Sequence, residues 1–184
     1  MKWLMLIPIL VFSLCIQAET IKGPIVKEPS GIYINLSNLG TLYKINTEAM
    51  SPLLRELFHY LESDDYFDGF GRVDTTSKNI YLGGVDSIGL DRLIGVWKSD
   101  SNDTYSFTNF SSLELSYNPD SLSVPPPKKF RYRITPNNNG QWSILFIGDD
   151  IHIGTLIVDH QTSTLQLYDQ ETGQLLKVIR LYKN

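Results

Sequence analysis

Clusters of turn-forming residues recur at a nearly constant interval in the second half of the chain. Their centres lie near Asn138, Asp149, Gln161 and Thr172, which are 11, 12 and 11 residues apart. An interval of this length accommodates one short strand and one tight loop, as in a meander of antiparallel strands. The spacing therefore favours an all-β arrangement of consecutive short strands from residue 93 to residue 184.

The segments between these clusters alternate between apolar and polar residues. Aromatic and aliphatic side chains alternate with basic ones in residues 129–134, and with serine, threonine or glutamate in residues 104–108 and 112–117. Period-two alternation predicts strands with one apolar face and one solvated face. We predict strands near residues 93–99, 103–109, 112–118, 129–135, 141–147, 151–158, 164–169 and 174–182. Eight strands are enough to close a barrel, which is the preferred interpretation, with a two-sheet sandwich as the alternative.

The first predicted strand carries Gly95-Val96-Trp97 and the last carries Arg180. A Gly-x-Trp on the first strand of an eight-stranded meander, with a basic residue on the final strand, resembles the lipocalin-like (calycin) proteins. The resemblance covers about residues 93–184. It implies a small up-and-down barrel in which Trp97 and Arg180 form a closing cation–π pair at one end.

The chain begins with a segment that has the features of a signal peptide. Lys2 is followed by fourteen uncharged residues, from Trp3 to Ile16, and Ala18 precedes a polar stretch. We expect cleavage near Ala18 and export to the periplasm or the extracellular space. Lipidation at Cys15 is a weaker alternative, because Leu14 stands where a lipoprotein signal needs a small residue. After cleavage no cysteine and no transmembrane segment would remain in the mature chain.

Residues 19–92 have a different pattern, which predicts an N-terminal α+β appendage. Residues 21–29 suggest an extended leader, and strands are expected at residues 31–36 and 41–45. Ser51-Pro52 is a favourable helix start, and apolar residues at helical spacing predict one short amphipathic helix from Pro52 to about Glu62. Two further short strands are expected at residues 72–74 and 80–82, with residues 84–89 as a loop. The apolar stripe of the helix must be buried, either on the barrel or on a partner protein.

No arrangement of residues in the sequence predicts catalysis. His59, His152 and His160 are expected at solvated positions, with His152 on the wet side of its strand, which is unfavourable for a general base. The acidic run at residues 62–69 fails the EF-hand pattern and is expected to be a solvated helix end and turn. We therefore predict no catalytic residues, no metal site and no cofactor.

The charge distribution is not that of a nucleic-acid-binding protein, which usually carries a large basic surface. The chain carries a formal charge of −4. One basic stripe, Lys128, Lys129, Arg131 and Arg133, is expected to be a solvated strand face rather than a nucleic-acid or phospholipid surface. No nucleic-acid partner is predicted.

Two functional hypotheses follow from the predicted barrel. The first is non-catalytic binding of a small apolar ligand by inward-facing aromatic residues, Tyr105, Phe107, Phe130 and Tyr132, with Trp142 added if its strand faces the same way. The second is a protein-interaction role, such as that of a secreted inhibitor or immunity protein. Its candidate element is the long loop at residues 118–127, which contains Pro125-Pro126-Pro127 and is stiff in polyproline form.

Overall fold

The computed structural model describes residues 18–36, 40–118, 124–137 and 141–184. The predicted signal segment at residues 1–17 and part of the proline-rich loop, residues 119–123, lie outside the described residues. The strands are β1 (Glu19–Glu28), β2 (Gly31–Leu36), β3 (Thr41–Ile45), β4 (Tyr66–Asp74), β5 (Asn79–Gly89), β6 (Gly95–Ser99), β7 (Thr104–Asn109), β8 (Ser112–Ser116), β9 (Lys128–Pro136), β10 (Trp142–Ile147), β11 (Ile151–Val158), β12 (Thr162–Tyr168) and β13 (Leu175–Lys183). One helix, α1 (Pro52–Tyr60), and one 3-10 turn (Asp91–Leu93) complete the described elements.

The last eight strands form a closed antiparallel barrel. From β6 to β13 each strand pairs with the next along the chain, and β13 pairs with β6 to close the ring. All of these pairings are antiparallel. The prediction of an eight-stranded up-and-down barrel is confirmed, and the sandwich is wrong because the first and last strands are hydrogen-bonded to each other.

The first five strands close a second ring. Their order is β5-β3-β2-β1-β4, and β4 also pairs with β5. β3 and β5 run parallel, while the other neighbours are antiparallel. This Greek-key order of five strands is that of an OB-type barrel. The single helix expected in this region is present, but the extended leader is strand β1, and the short predicted strands are parts of the longer β4 and β5.

Glycines allow β4 and β5 to be longer than their sequences suggest. A side chain at Gly69 would meet the backbone oxygen of Gly84 at 2.3 Å, and the ring of Phe70 lies where a side chain at Gly84 would be. The pairing register shifts between Asp68 and Gly69 and again after Phe70. These glycines therefore mark bulges inside a strand pair. The expectations that this strand begins only at residue 72 and that residues 84–89 form a loop were wrong, because β4 begins at Tyr66 and β5 continues to Gly89.

Helix α1 lies at the end of the first barrel. The Ser51 hydroxyl accepts a hydrogen bond from the Leu54 N–H at 3.3 Å, and Pro52 occupies the first turn, as the sequence predicts. The Phe58 ring lies 5.6 Å from that of Phe67 on β4. Leu57 reaches further and shares a groove with Trp142 of the second barrel. Most of the apolar stripe is thus buried within the chain, largely by the helix's own barrel, while Leu53 remains exposed.

The two barrels share one continuous hydrophobic core. Ile88 on β5 pairs with Ile134 on β9, which connects the two rings directly. Next to this contact, Asp65 is completely buried, and its carboxylate lies 3.1 Å from the Arg92 guanidinium. The expectation that the whole acidic run is a solvated turn was wrong at Asp65, because this carboxylate holds the junction between the barrels.

Candidate ligand-binding cavity

The eight-stranded barrel contains a half-open cavity of about 230 Å³. Its mouth lies where β8 leads into β9 and where β10 leads into β11. Its wall is mostly aliphatic and aromatic, with a few polar groups near the mouth. The lining residues are Tyr105, Leu113, Leu115, Tyr117, Lys128, Phe130, Phe146, His152, Leu165, Leu167 and Ile179.

Strand alternation accounts for the apolar wall. Leu113 and Leu115 on β8 stand directly opposite Phe130 and Lys128 on β9, so all four point to the same side of the sheet. The Phe130 ring contacts Phe146 edge to face, with 6.3 Å between ring centroids. Aromatic edges of this kind give a rigid wall with a large apolar area.

The loop after β10 needs a glycine because Phe130 lies against it. A side chain at Gly148 would meet the Phe130 ring at 2.8 Å. The His152 ring, at the start of β11, also contacts Phe130, with 6.1 Å between the two ring centroids. Phe130 is therefore held between the loop and the neighbouring strands, with part of its ring facing the cavity.

The polar groups near the mouth are Tyr105, Tyr117, Lys128 and His152. Burial raises the pKa of Tyr105 to about 12, and the nearby Asp103 carboxylate and Tyr117 hydroxyl act in the same direction. Tyr105 is thus a neutral phenol at physiological pH and can donate a hydrogen bond. Lys128 is exposed and brings one positive charge to the mouth. An apolar molecule with one polar end would satisfy this arrangement.

Phe107 and Tyr132 lie one inward position deeper than Tyr105 and Phe130. Their rings contact edge to face at 5.3 Å, and the Tyr132 hydroxyl donates a 2.6 Å hydrogen bond to the Asn109 carbonyl. Burial raises the pKa of Tyr132 well above its ordinary value. This pair fills the barrel interior below the cavity, and neither residue lines the cavity itself.

Trp142 lies at the opposite end of the barrel from the cavity mouth. It borders a groove with Leu57 and Tyr60 of α1, and its ring lies 6.0 Å from the Arg92 guanidinium. Of the five residues predicted to bind ligand, the structure therefore brings Tyr105 and Phe130 to the cavity. It places Phe107 and Tyr132 beneath the cavity and Trp142 away from it.

The closed end of the barrel is built around Trp97, which is fully buried. The cation over its ring is Lys183, whose Nζ lies 5.3 Å from the ring centroid. Lys183 is directly opposite Trp97 in the β13–β6 pairing, whereas Arg180 is exposed and opposite Thr164 on β12. The closing pair is thus Trp97 with Lys183, and Arg180 takes no part in it because it stands on the outer face.

Hydrogen bonds connect this closed end to the first barrel. The Trp97 indole N–H donates to the Leu93 carbonyl at 2.8 Å, and Lys183 Nζ donates to the Arg92 carbonyl at 2.9 Å. The Asp65 carboxylate accepts from the Asp91 N–H at 2.8 Å. These bonds fix the 3-10 turn between the barrels, so that the first barrel covers the closed end of the second.

The predicted orientation of His152 was wrong. It stands opposite Phe146 in the β10–β11 pairing and faces inward at the mouth, not outward as expected. Gly154 and Leu156, two and four residues later, are buried, which identifies the even-numbered residues of β11 as the inner ones. The signal was ambiguous because Ile151 and Ile153 also look like core residues.

Comparison of the chain with models of protein families, with curated proteins and with solved structures finds no match. Within the described ranges, no group of three or more metal-ligating side chains could hold an ion. Helix α1 is not of the length and hydropathy that crossing a membrane requires, and the described residues contain no other candidate.

Proposed function

We propose that the chain is an exported, non-enzymatic binding protein that holds a small apolar ligand in the mouth of its eight-stranded barrel. The single observation that carries this proposal is the apolar cavity between Tyr105, Phe130 and Leu167. At about 230 Å³ it is smaller than the roughly 300–1,000 Å³ of sites for drug-sized ligands. A single short acyl chain or one substituted ring is the size of molecule that suits it.

The chemistry of the wall supports binding rather than catalysis. The titratable groups that line the cavity are two tyrosines, Lys128 and His152. A catalytic histidine needs a hydrogen-bonded orienting group and a sheltered position. His152 is exposed, its ring contacts the Phe130 ring, and in the described part of the chain no carboxylate forms a hydrogen bond or ion pair with it.

A protein-interaction role is the second candidate, supported by a groove beside the mouth. Pro125, Pro126 and Pro127 are exposed and line a groove of about 410 Å³ together with Asp149 and Asp150. A stiff proline segment next to two carboxylates could contact another protein without large ordering costs.

Binding of a neutral apolar fluorophore, N-phenyl-1-naphthylamine, tests the first proposal. Leu167→Trp adds volume at the cavity wall and is expected to weaken binding at least about tenfold, the equivalent of about 1.4 kcal/mol. Leu42→Trp is the matched control, because Leu42 is an exposed leucine on the first barrel. Equal affinity in the wild type and both variants would show that the fluorophore does not occupy the cavity, and would contradict the proposal.

A further inference from the structure

Strand β11 presents isoleucines to solvent. Ile151, Ile153 and Ile157 are 50%, 41% and 46% exposed. They alternate with Gly154 and Leu156, which face the barrel interior and are buried. An ordinary strand of a water-facing barrel has the opposite arrangement, with polar residues outside. The outer side of β11 is therefore apolar where solvation alone would favour polar residues.

The neighbouring strands extend this apolar area. Ile147 stands directly opposite Ile151, and Leu145 stands opposite Ile153. Eight of the fourteen large apolar side chains that are exposed in the described residues lie on β10, β11 and β13, on one side of the barrel. The outer residues Thr164 and Gln166 of β12 stand between those of β11 and β13. We call the following residues the apolar face: Ile147, Ile151, Ile153, Ile157, Leu176 and Val178.

Basic residues border the apolar face. Arg131 on β9 stands beside Ile147, and Arg133 stands beside Leu145. Arg180 is exposed on β13, on the other side. In the described part of the chain no ion pair involves any of these three arginines. Lys129 lies further along β9 and faces Glu114 of β8 at 3.8 Å.

Acidic residues are absent from these strands. The sequences of β6 and of β9 to β13 contain no aspartate or glutamate at any position, although the whole chain has a formal charge of −4. The outer positions of β7 and β8, on the opposite side of the barrel, are Thr, Ser and Glu. The strands on this side of the barrel thus carry apolar and basic residues, and the nearest exposed carboxylates, Asp149, Asp150, Asp159 and Glu171, lie in the turns at their ends.

We propose that the apolar face, with Arg131 and Arg133, docks on an anionic lipid surface. The arginines match the phosphates of the headgroups in charge, and the isoleucines enter the boundary between headgroups and acyl chains. The inference goes beyond ligand binding, because it uses the outside of the barrel and not the cavity.

Two other occupants fit the same face less well. A second copy of the chain in a two-fold arrangement would bring the apolar face against itself and place its basic borders near each other, which is unfavourable. A protein partner would be expected to meet aromatic residues at the centre of the interface. The centre here consists of isoleucine, leucine and valine.

Sedimentation with vesicles tests the proposal. The protein is mixed at low salt with vesicles of phosphatidylglycerol and phosphatidylcholine, or of phosphatidylcholine alone. We expect binding to the anionic vesicles, weakened by high salt. Arg131→Gln/Arg133→Gln should lower the affinity about thirtyfold, the equivalent of about 1 kcal/mol for each arginine. Ile151→Ser/Ile153→Ser should abolish binding.

Matched controls lie on the first barrel. Lys44→Gln/Lys78→Gln removes the same charge, and Leu42→Ser/Leu53→Ser removes two exposed leucines, so both should bind like the wild type. All proteins are prepared in the same form, so that the residues before Ala18 contribute equally, and circular dichroism checks that each variant is folded. Three results would overturn the proposal: no binding to anionic vesicles, equal losses in the controls, or concentration-dependent self-association that Ile151→Ser/Ile153→Ser abolishes.

Discussion

Trp97 connects three parts of the closed barrel end. Its ring is fully buried, its N–H bonds to Leu93, and Lys183 lies over its face. Lys183 in turn donates to the carbonyl of Arg92 in the turn between the barrels. One side chain thus links the first strand of the barrel, its last strand and the connection to the other barrel.

Replacing Trp97 with alanine should be strongly destabilising. The loss of a buried Trp costs about 3–5 kcal/mol. Lys183→Met keeps the aliphatic stem and should cost about 0.5–2 kcal/mol through the lost cation–π contact. Arg180→Met should leave stability almost unchanged, because Arg180 is exposed. Chemical denaturation measures all three, and equal effects at Lys183 and Arg180 would contradict the pairing.

The buried tyrosines make stability sensitive to alkaline pH. The pKa of Tyr105 is about 12 in the folded protein, against about 10 in an unfolded chain. The folded state therefore holds this proton more tightly, so the stabilisation is complete below pH about 10 and is lost as the pH rises toward about 12. The slope is about 1.4 kcal/mol per pH unit for each such tyrosine.

Urea denaturation at several pH values measures this slope. Tyr105→Phe should remove the contribution of one tyrosine, while Tyr132, whose pKa is also raised by burial, keeps its own. An unchanged slope in Tyr105→Phe would show that Tyr105 ionises equally in both states.

At the closed barrel end, the sequence could predict the buried aromatic residue but not the cation that contacts it. Trp97 could be predicted as the closing residue because a Gly-x-Trp on a first strand is a local pattern. Its cation could not, since Lys183 and Arg180 lie on the same short strand, and only the pairing register of β13 with β6 selects Lys183.

At the scale of elements, the strand bounds of the second barrel were predicted well, but the inward-facing side of β11 was not. The bounds of β6 to β13 agree closely with the predicted segments, because period-two alternation and regular turns are both local signals. In β11 the isoleucines suggested the wrong inner face. A strand that is apolar on both sides carries no period, so its orientation depends on its neighbours.

The lengths of β4 and β5 were underestimated for a related reason. Glycine in a strand usually suggests a turn, but here Gly69 allows the backbones to approach. Gly69→Ala should destabilise the protein by about 1–3 kcal/mol, since its new methyl group would meet the backbone oxygen of Gly84. Gly83→Ala is the control, because its methyl group would meet the Phe70 ring at 3.1 Å and the nearest backbone atom, the Phe70 oxygen, only at 3.5 Å. Thermal unfolding compares them, and a harmless Gly69→Ala would contradict the close approach.

At the scale of the whole molecule, the chain consists of two closed barrels joined by one core. The first barrel was not predicted, because its closure depends on the pairing of β3 with β5 and of β1 with β4. These strands are far apart in sequence, and no local pattern encodes their pairing. The cavity was predicted in part, from residues that alternate along β7 and β9.

The buried pair between the barrels should contribute to the stability of the whole molecule. In Asp65→Asn the Arg92 guanidinium loses its buried carboxylate, which should cost about 3 kcal/mol. Burial raises the pKa of Asp65, while two backbone N–H groups and Arg92 favour its charged form. Glu62→Gln is the control and should cost less than about 1 kcal/mol, because Glu62 is exposed. If Asp65→Asn is as stable as Glu62→Gln in chemical denaturation, the pair does not hold the junction.

Native mass spectrometry of the protein isolated from its native source tests the central claim, a ligand in the barrel cavity, most directly. We expect the protein to carry a small apolar molecule, and we expect Leu167→Trp to lose it while Leu42→Trp keeps it. A bare protein mass in every preparation, or an adduct that both variants retain, would contradict binding in the cavity. An intact complex with another protein would instead favour the interaction role.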